Sequence, residues 1–228
     1  KTLEFLFHQM TEIDQIIFDL QEIHKVDYFI SMMSLPYIFR SNKKLPEPYN
    51  FLYVSNEDNK YWKNKINQNK LYKIGLMWQG DSKYKDDYKR SIQLSKLDPI
   101  LQIQNIEYIS LQKDSGREQI KKFNYQNQIV DFFGDIDTTP FKDTLAIINN
   151  LDLIICVDTG MGQIAATLGK ETWVMVSYVP ADFRWGIENS NTHWYENVKL
   201  FRQKKINNWD SVILSIKKLL KLNLNKRG

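Results

Sequence analysis

The sequence predicts an α/β fold: a parallel sheet covered by helices on both faces, preceded by part of a second α/β unit. Three features carry this. From residue 71 onward, strand-like and helix-like runs alternate with short connectors, the pattern that builds parallel sheets through helical crossovers. The run LIICV at Leu153–Val157 is apolar at every position instead of alternating, as in a strand covered on both faces. The first 70 residues differ in texture and are too few for a complete layered domain, so residues 1–70 are assigned to the end of one unit and 71–228 to another.

Taken in order, residues 16–20 and 26–33 are β-branched and aromatic and predict two strands. Ser34-Leu35-Pro36 opens a short helix, since proline is tolerated in a first turn. Pro46 and Pro48 mark an extended passage, and residues 58–69 read as a surface helix or connector. Residues 72–78 are a buried strand ending at Gln79-Gly80. Residues 94–101 have helical periodicity, with Ser91 or Ser95 as cap. Residues 106–111 form a second strand, 117–123 a short helix and 128–132 a third strand. Residues 141–149 are a helix announced by Thr138 or Thr139 before Pro140. After the strand at 153–157 come a helix at 161–168 closed by Gly169, and strands at 172–177 and 198–201. An amphipathic helix capped near Asn208 covers 208–222.

Composition narrows the classes of function. The chain has 228 residues, 43% of them hydrophobic and 25% charged, which supports a buried core and argues against general disorder. A net charge of +4, spread over scattered lysines, suits an acidic small ligand and lacks the basic stripe of a nucleic-acid protein. Lys217, Lys218 and Lys221 read as a solvated helix face. The single cysteine, Cys156, rules out an internal disulfide and points to a reducing, cytoplasmic setting. No apolar stretch has the length of a membrane span and no signal peptide is visible. The chain opens on Lys1, so a longer parent polypeptide is expected.

Ligands of parallel α/β sheets bind beyond the carboxyl ends of the strands. That rule selects the loops at 79–90, at Gln112-Lys113, at Gly134-Asp135 and at Asp158-Thr159-Gly160. In the last, Thr159 offers a hydroxyl, Gly160 admits a ligand to the backbone, Gly162 keeps the approach open and Gln163 adds a donor. The following helix supplies free N–H groups and the positive end of its dipole, which suits a phosphate. An ordinary strand-to-helix turn, with Asp158 or Thr159 as a plain cap, accounts for the same pattern. In the first loop Arg90 can clamp a phosphate bidentately, although a charge-mixed surface loop has the same spacing. Trp78 and Tyr84 can stack on a base or sugar, and core packing explains Trp78 equally well. Residues 179–194 hold Phe183, Arg184, Trp185, His193 and Trp194 in a long loop, suited to sugars and nucleobases or to a satellite apolar cluster. His8, His24 and His193 are far apart, and no metal spacing appears. A G-x-S-x-G elbow, a G-x-G-x-x-G fingerprint and a Walker sequence are all missing from the chain.

Several segments together carry a resemblance: DYFISMMSLP, KIGLMWQGDSKYKDDYKRSIQLSKLDPIL, YISLQK, DTLAIINNLDLIICVDTGMGQIAATLGKETWVMV, FRW, HWYENVKLFRQ and NWDSVI. In this order they resemble the C-terminal module of bacterial tetratricopeptide-repeat proteins that end in a heptosyltransferase-like (family 9) glycosyltransferase. More distantly they are similar to O-linked N-acetylglucosamine transferases. The resemblance implies a GT-B-like fold of two Rossmann-like halves, with residues 71–228 as the donor half and 1–70 as the end of the acceptor half. It implies a nucleotide-sugar as substrate, an unidentified glycan or protein acceptor, upstream tetratricopeptide repeats, and no metal or other cofactor.

Position by position, Asp158, Thr159 and Gly160 match the family's donor-phosphate turn, and Arg90 a basic residue on the donor phosphate. Gln112, Asp143 and Thr144 fall where the nucleoside is held, and Arg184 and Trp185 match the loop beside the donor. The sequence departs from the family at Gln163, where many relatives carry histidine. Glutamine keeps hydrogen-bonding capacity but cannot become cationic near neutral pH, which weakens an acid/base role there. The catalytic base is not identified by the sequence, and Asp81 is a poor candidate. Two readings therefore stand: metal-independent sugar transfer from a nucleoside diphosphate, and a non-catalytic module that binds a nucleotide, glycan or protein. A purely structural oligomerisation domain is a third.

Overall fold

The computed structural model describes residues 2–23, 25–39, 51–66, 68–132, 140–179, 182–187 and 190–226. Its centre is a six-stranded, all-parallel sheet in the order β3-β2-β1-β4-β5-β6. The strands are β1 (Tyr72–Met77), β2 (Ile106–Ser110), β3 (Ile129–Val130), β4 (Leu153–Val157), β5 (Thr172–Val176) and β6 (Val198–Arg202). Every position of β4 and β5 is buried, because helices cover the sheet on both sides and alternate residues enter different cores.

The helices are α1 (Glu4–Phe7), α2 (Leu35–Ile38), α3 (Asn56–Ile66), α4 (Asp87–Arg90), α5 (Asp98–Leu101), α6 (Glu118–Lys122), α7 (Lys142–Asn149), α8 (Gly160–Thr167) and α9 (Asp210–Asn225). On one face Ile74, Leu76, Ile155 and Met175 pack with Leu94, Ile100, Ile120 and the inner side of α9, namely Val212, Ile213, Ile216 and Leu220. On the other, Ile109, Ile154, Cys156 and Val174 pack with α7, α8 and, from the first 70 residues, Leu6, Leu52, Trp62 and Ile66. Helix α3 is fastened to α7 by Trp62 Nε1–H donating to Asp143 Oδ1 at 2.5 Å and by Asn149 donating to Asn59 Oδ1 at 2.8 Å.

Several expected elements differ in detail, for identifiable reasons. The helix expected over 94–101 is a 3₁₀ turn at Leu94–Leu97 followed by α5. Pro99 lies in the first turn of α5 and has no N–H to continue the earlier turn. The strands expected at 16–20 and 26–33 are not strands: 3₁₀ turns occur at Leu20–Glu22 and Met32–Ser34, and the rest has no ladder partner among the described residues. A strand exists only where a neighbour takes its backbone hydrogen bonds. Helix α3 starts two residues before 58, where Ser55 Oγ accepts from Asp58 N at 3.0 Å and donates to its carboxylate, a reciprocal cap. Gly169, at φ 79°, closes α8 with paired bonds from Gly169 N to Ala166 O and Lys170 N to Ala165 O. Asn208 accepts from Ser211 N at 3.4 Å ahead of α9. The loop residues Gly134 and Asp135 and the start signals Thr138 and Thr139 lie outside the described residues, as do Pro46, Pro48 and His24. No helix among the described residues is long and apolar enough to cross a membrane.

Candidate functional site

The strand order places β1 beside β4, while β1 leads outward to β2 and β4 leads the other way to β5. At such a switch point the two following loops diverge and leave a crevice at the carboxyl ends of the strands. Here those loops are the segment from Trp78 to Ser91 and the turn Asp158-Thr159-Gly160.

Arg90 joins them. Its Nη1 donates to the Asp158 backbone oxygen at 3.0 Å and its Nε to Asp87 Oδ1 at 2.9 Å. Asp87 Oδ2 accepts from Ser91 Oγ at 2.6 Å, and Ser91 Oγ accepts from Gly80 N at 2.9 Å. The guanidinium lies 4.9 Å from the Tyr84 ring centre, and the side chain keeps 19% of its surface exposed.

Across the crevice, Thr159 precedes α8 in extended conformation and makes no side-chain cap, its hydroxyl pointing to Met77 Sδ at 3.4 Å. Gly162 N is taken by Thr159 O. Gly160 and Met161 head the helix, where N–H groups have no acceptor within the helix. Gly160 is exposed, and a Cβ there would meet nothing within 4 Å. Gly162 does not keep the approach open as expected. It is buried, and a Cβ there would come within 2.9 Å of Cys156 Sγ, so glycine serves close packing of α8 on β4.

Asp158 turns its carboxylate inward. Its residue is 3% exposed, Oδ1 accepts from Trp185 Nε1 at 2.7 Å, and Oδ2 is buried without a partner among the described residues. Burial raises its pKa against the opposing effects of the Trp185 hydrogen bond and of Arg90 and Arg184, and the charge of Asp182 adds to the rise. The loop carrying Trp185 is fixed again by Arg202 Nη2, at the end of β6, donating to Trp185 O at 3.0 Å. Asp182 accepts from Arg184 Nε at 2.9 Å and from Gln163 Nε2 at 2.9 Å. Burial opposes its charge, but the Arg184 and Gln163 bonds prevail and hold its pKa below the ordinary value.

The structure thus brings Arg90, Asp158, Thr159 and Gly160 together at the carboxyl ends of β1 and β4, with Gln163, Asp182 and Arg184 beside them. It places other expected ligands elsewhere. Trp78 and Trp185 are both 0% exposed, so neither ring offers a face for stacking. Their indole N–H groups go to Gly116 O and Asp158. Gln112 is 2% exposed and uses its whole amide on the main chain of Trp78, Gln79 and Ser115, bracing the strand ends instead of facing a nucleoside. Asp143 is bound to Trp62, and Thr144 is buried with its hydroxyl unpartnered among the described residues. Asp81 is exposed and accepts from Lys83 N in its own turn. In the aromatic loop Phe183 and Trp194 form a surface ring pair, at 5.6 Å.

Sequence reasoning missed Asp87, Ser91, Gly80, Asp182 and Arg202. The Asp87–Arg90 spacing of three within one turn was the available signal for the first. A cavity of about 1030 Å³ lies between Asn69, Gln102, Asn105, Asp152 and Lys221 at the amino ends of β1 and β2, the opposite edge of the sheet. No cluster of metal-ligating side chains occurs among the described residues.

No protein-family model matches the chain, and no curated protein matches it in sequence. Its fold is similar to that of E. coli ADP-heptose lps heptosyltransferase II, with a TM-score of 0.58 and 15% identity over 84% of this chain and 59% of that one. A second similar structure is E. coli heptosyltransferase WaaC with ADP-2-deoxy-2-fluoro heptose, at TM-score 0.48 and 9% identity over 72% of this chain and 47% of that one. A third is the wall teichoic acid polymerase TagF, at TM-score 0.40 and 9% identity over 83% and 42%. The first likeness shows the fold alone: a Rossmann-like, GT-B-like α/β sheet. The chain spans about three-fifths of that neighbour's length.

Proposed function

We propose that the crevice between β1 and β4 holds the diphosphate of a nucleotide-sugar, and that the protein transfers the sugar to a glycan or protein acceptor without a metal. The observation that supports this most is Arg90, held from the β1 loop onto the Asp158 carbonyl next to the open start of α8. A guanidinium and unpaired helix N–H groups at one switch point are what a departing diphosphate needs as its charge develops. The heptosyltransferase neighbour acts in this reading as a fold-level parallel only. The base that deprotonates the acceptor belongs, on this reading, to an acceptor half of which residues 1–70 are the end. Tetratricopeptide repeats upstream would present the acceptor, in a cytoplasmic parent protein.

A binding module without turnover is the second reading. It is favoured by Gln163, whose amide donates to Asp182 Oδ2 and which carries no titratable proton at the helix start. The test is calorimetric titration with ADP-, UDP- and GDP-sugars, followed by assay of nucleotide release. One donor is expected to bind, and Arg90→Ala to weaken it roughly tenfold or more, about 1.4 kcal/mol. Binding with no release at any acceptor tried would favour the module. No binding by any donor, or full binding by the Arg90→Ala chain, would sink both readings.

A further inference from the structure

The short turn before the crevice contains a carboxylate that an anion site would ordinarily avoid. Asp87 is 5% exposed, in a helix of four residues whose next residue, Tyr88, is 66% exposed. Both its oxygens are spent inside the turn, Oδ1 on Arg90 Nε and Oδ2 on Ser91 Oγ. Ser91 Oγ in turn accepts from Gly80 N. The room for this arrangement comes from Gly80. A Cβ there would press on the Asp87 carboxylate and come within 2.7 Å of Arg90 Nη2. Gly80 is not among the residues at positive φ, so its glycine is explained by space and not by backbone conformation.

We propose that Asp87, with Ser91 and the bare backbone of Gly80, is a positioning residue that fixes the Arg90 guanidinium for a diphosphate oxygen. This rests on the reading of the crevice as a diphosphate site. With Nε on Asp87 and Nη1 on the Asp158 carbonyl, the guanidinium plane is pinned at two points. The Nη2 end has no hydrogen bond among the described residues and is the edge left to donate. An arginine already held in place loses less freedom when it binds. The competing account is that Asp87 only neutralises Arg90. The two differ in sign: if net charge governs, removing the carboxylate strengthens anion binding, whereas if orientation governs, it weakens binding.

The experiment is titration of the chain with inorganic pyrophosphate, followed by the ¹⁵N-labelled arginine Nε–H resonances, in the parent chain and in Asp87→Asn, Ser91→Ala and Gly80→Ala. Arg90→Lys, which has no Nε–H, assigns the Arg90 signal. Pyrophosphate carries no base or sugar, so the outcome does not depend on donor identity. The Arg90 resonance is expected to shift on titration, with affinity about 5–10-fold lower in Asp87→Asn and about 2–3-fold lower in Ser91→Ala. Far-UV circular dichroism identifies any variant that does not fold; should Asp87→Asn be one, Ser91→Ala and Gly80→Ala decide. Affinity unchanged or increased in the folded variants overturns the assignment, as does an Arg90 signal indifferent to pyrophosphate in the parent chain. Pyrophosphate binding that depends on Asp87, with no nucleotide-sugar bound, leaves this assignment standing and removes the proposed function instead.

Discussion

Asp158 and Asp182 sit beside the same crevice and titrate in opposite senses. For Asp158, burial lifts the folded-state pKa above the ordinary 3.8. The folded chain therefore holds a proton that the unfolded chain has lost, and this residue's contribution to stability, complete below 3.8, declines as pH rises through the raised value. For Asp182 the folded pKa is depressed, so its contribution is complete above 3.8 and declines as pH falls through the lowered value. Urea unfolding of the parent chain and of Asp158→Asn across pH 3 to 8 should give a stability difference that moves against the parent as pH rises. A pH-independent difference would show that the buried carboxylate is not the cause. The sequence marked Asp158 as a site residue but not its orientation. The carboxylate is turned by Trp185, 27 positions away, and no local pattern encodes a contact of that span. Arg90 was legible because a lone arginine after a strand is chemically conspicuous. Asp87 was not, because Asp86 and Lys89 share the spacing of three that joins Asp87 to Arg90, and burial, which the sequence does not show, tells the two pairs apart.

Helix α8 contains two glycines near its start with opposite tolerances. At Gly162 an added methyl would meet Cys156 Sγ at 2.9 Å and Val174 Cγ2 at 3.5 Å, lifting the helix from the sheet. Gly162→Ala is expected to cost about 1–3 kcal/mol in chemical denaturation. At Gly160 nothing lies within 4 Å, and alanine should be neutral or stabilise by up to ~1 kcal/mol while crowding the exposed N–H groups. Equal losses in the two variants would refute this division. At this scale the sequence served well where the cause is local. The apolar run gave β4 its bounds, Gly169 gave the end of α8, and Ser34-Leu35-Pro36 gave α2. It failed where an element needs a partner, as at 16–20 and 26–33, whose strand-like composition finds no neighbouring strand among the described residues.

The molecule as a whole is held by two apolar layers separated by the sheet, and α9 closes one of them at the end of the chain. Ile216 and Leu220 are both 0% exposed. Ile216→Ala should lower the unfolding free energy by about 2–5 kcal/mol, with one cooperative transition seen alike by fluorescence and circular dichroism. A loss below 1 kcal/mol would mean that α9 is not part of the cooperative core. Alternation of strands and helices predicted the layered class, but not the order β3-β2-β1-β4-β5-β6. Pairing β1 with β4 joins residues such as Gly75 and Ile154, far apart in the chain, and rests on how the helices fill the space between. The switch-point crevice follows from that order; position after a strand nominated four loops, and only the resemblance paired Arg90 with Asp158-Thr159-Gly160.

Asp158 fastens two loops by chemically different handles: its main-chain oxygen holds Arg90, and its side chain holds Trp185. A carbonyl is common to all twenty amino acids, whereas a buried carboxylate is not. Random drift at position 158 would therefore tax the Trp185 loop first, while the arginine's anchor persists. The two halves of the site are free to diverge at different rates, and the half anchored through the main chain is the more robust to mutation.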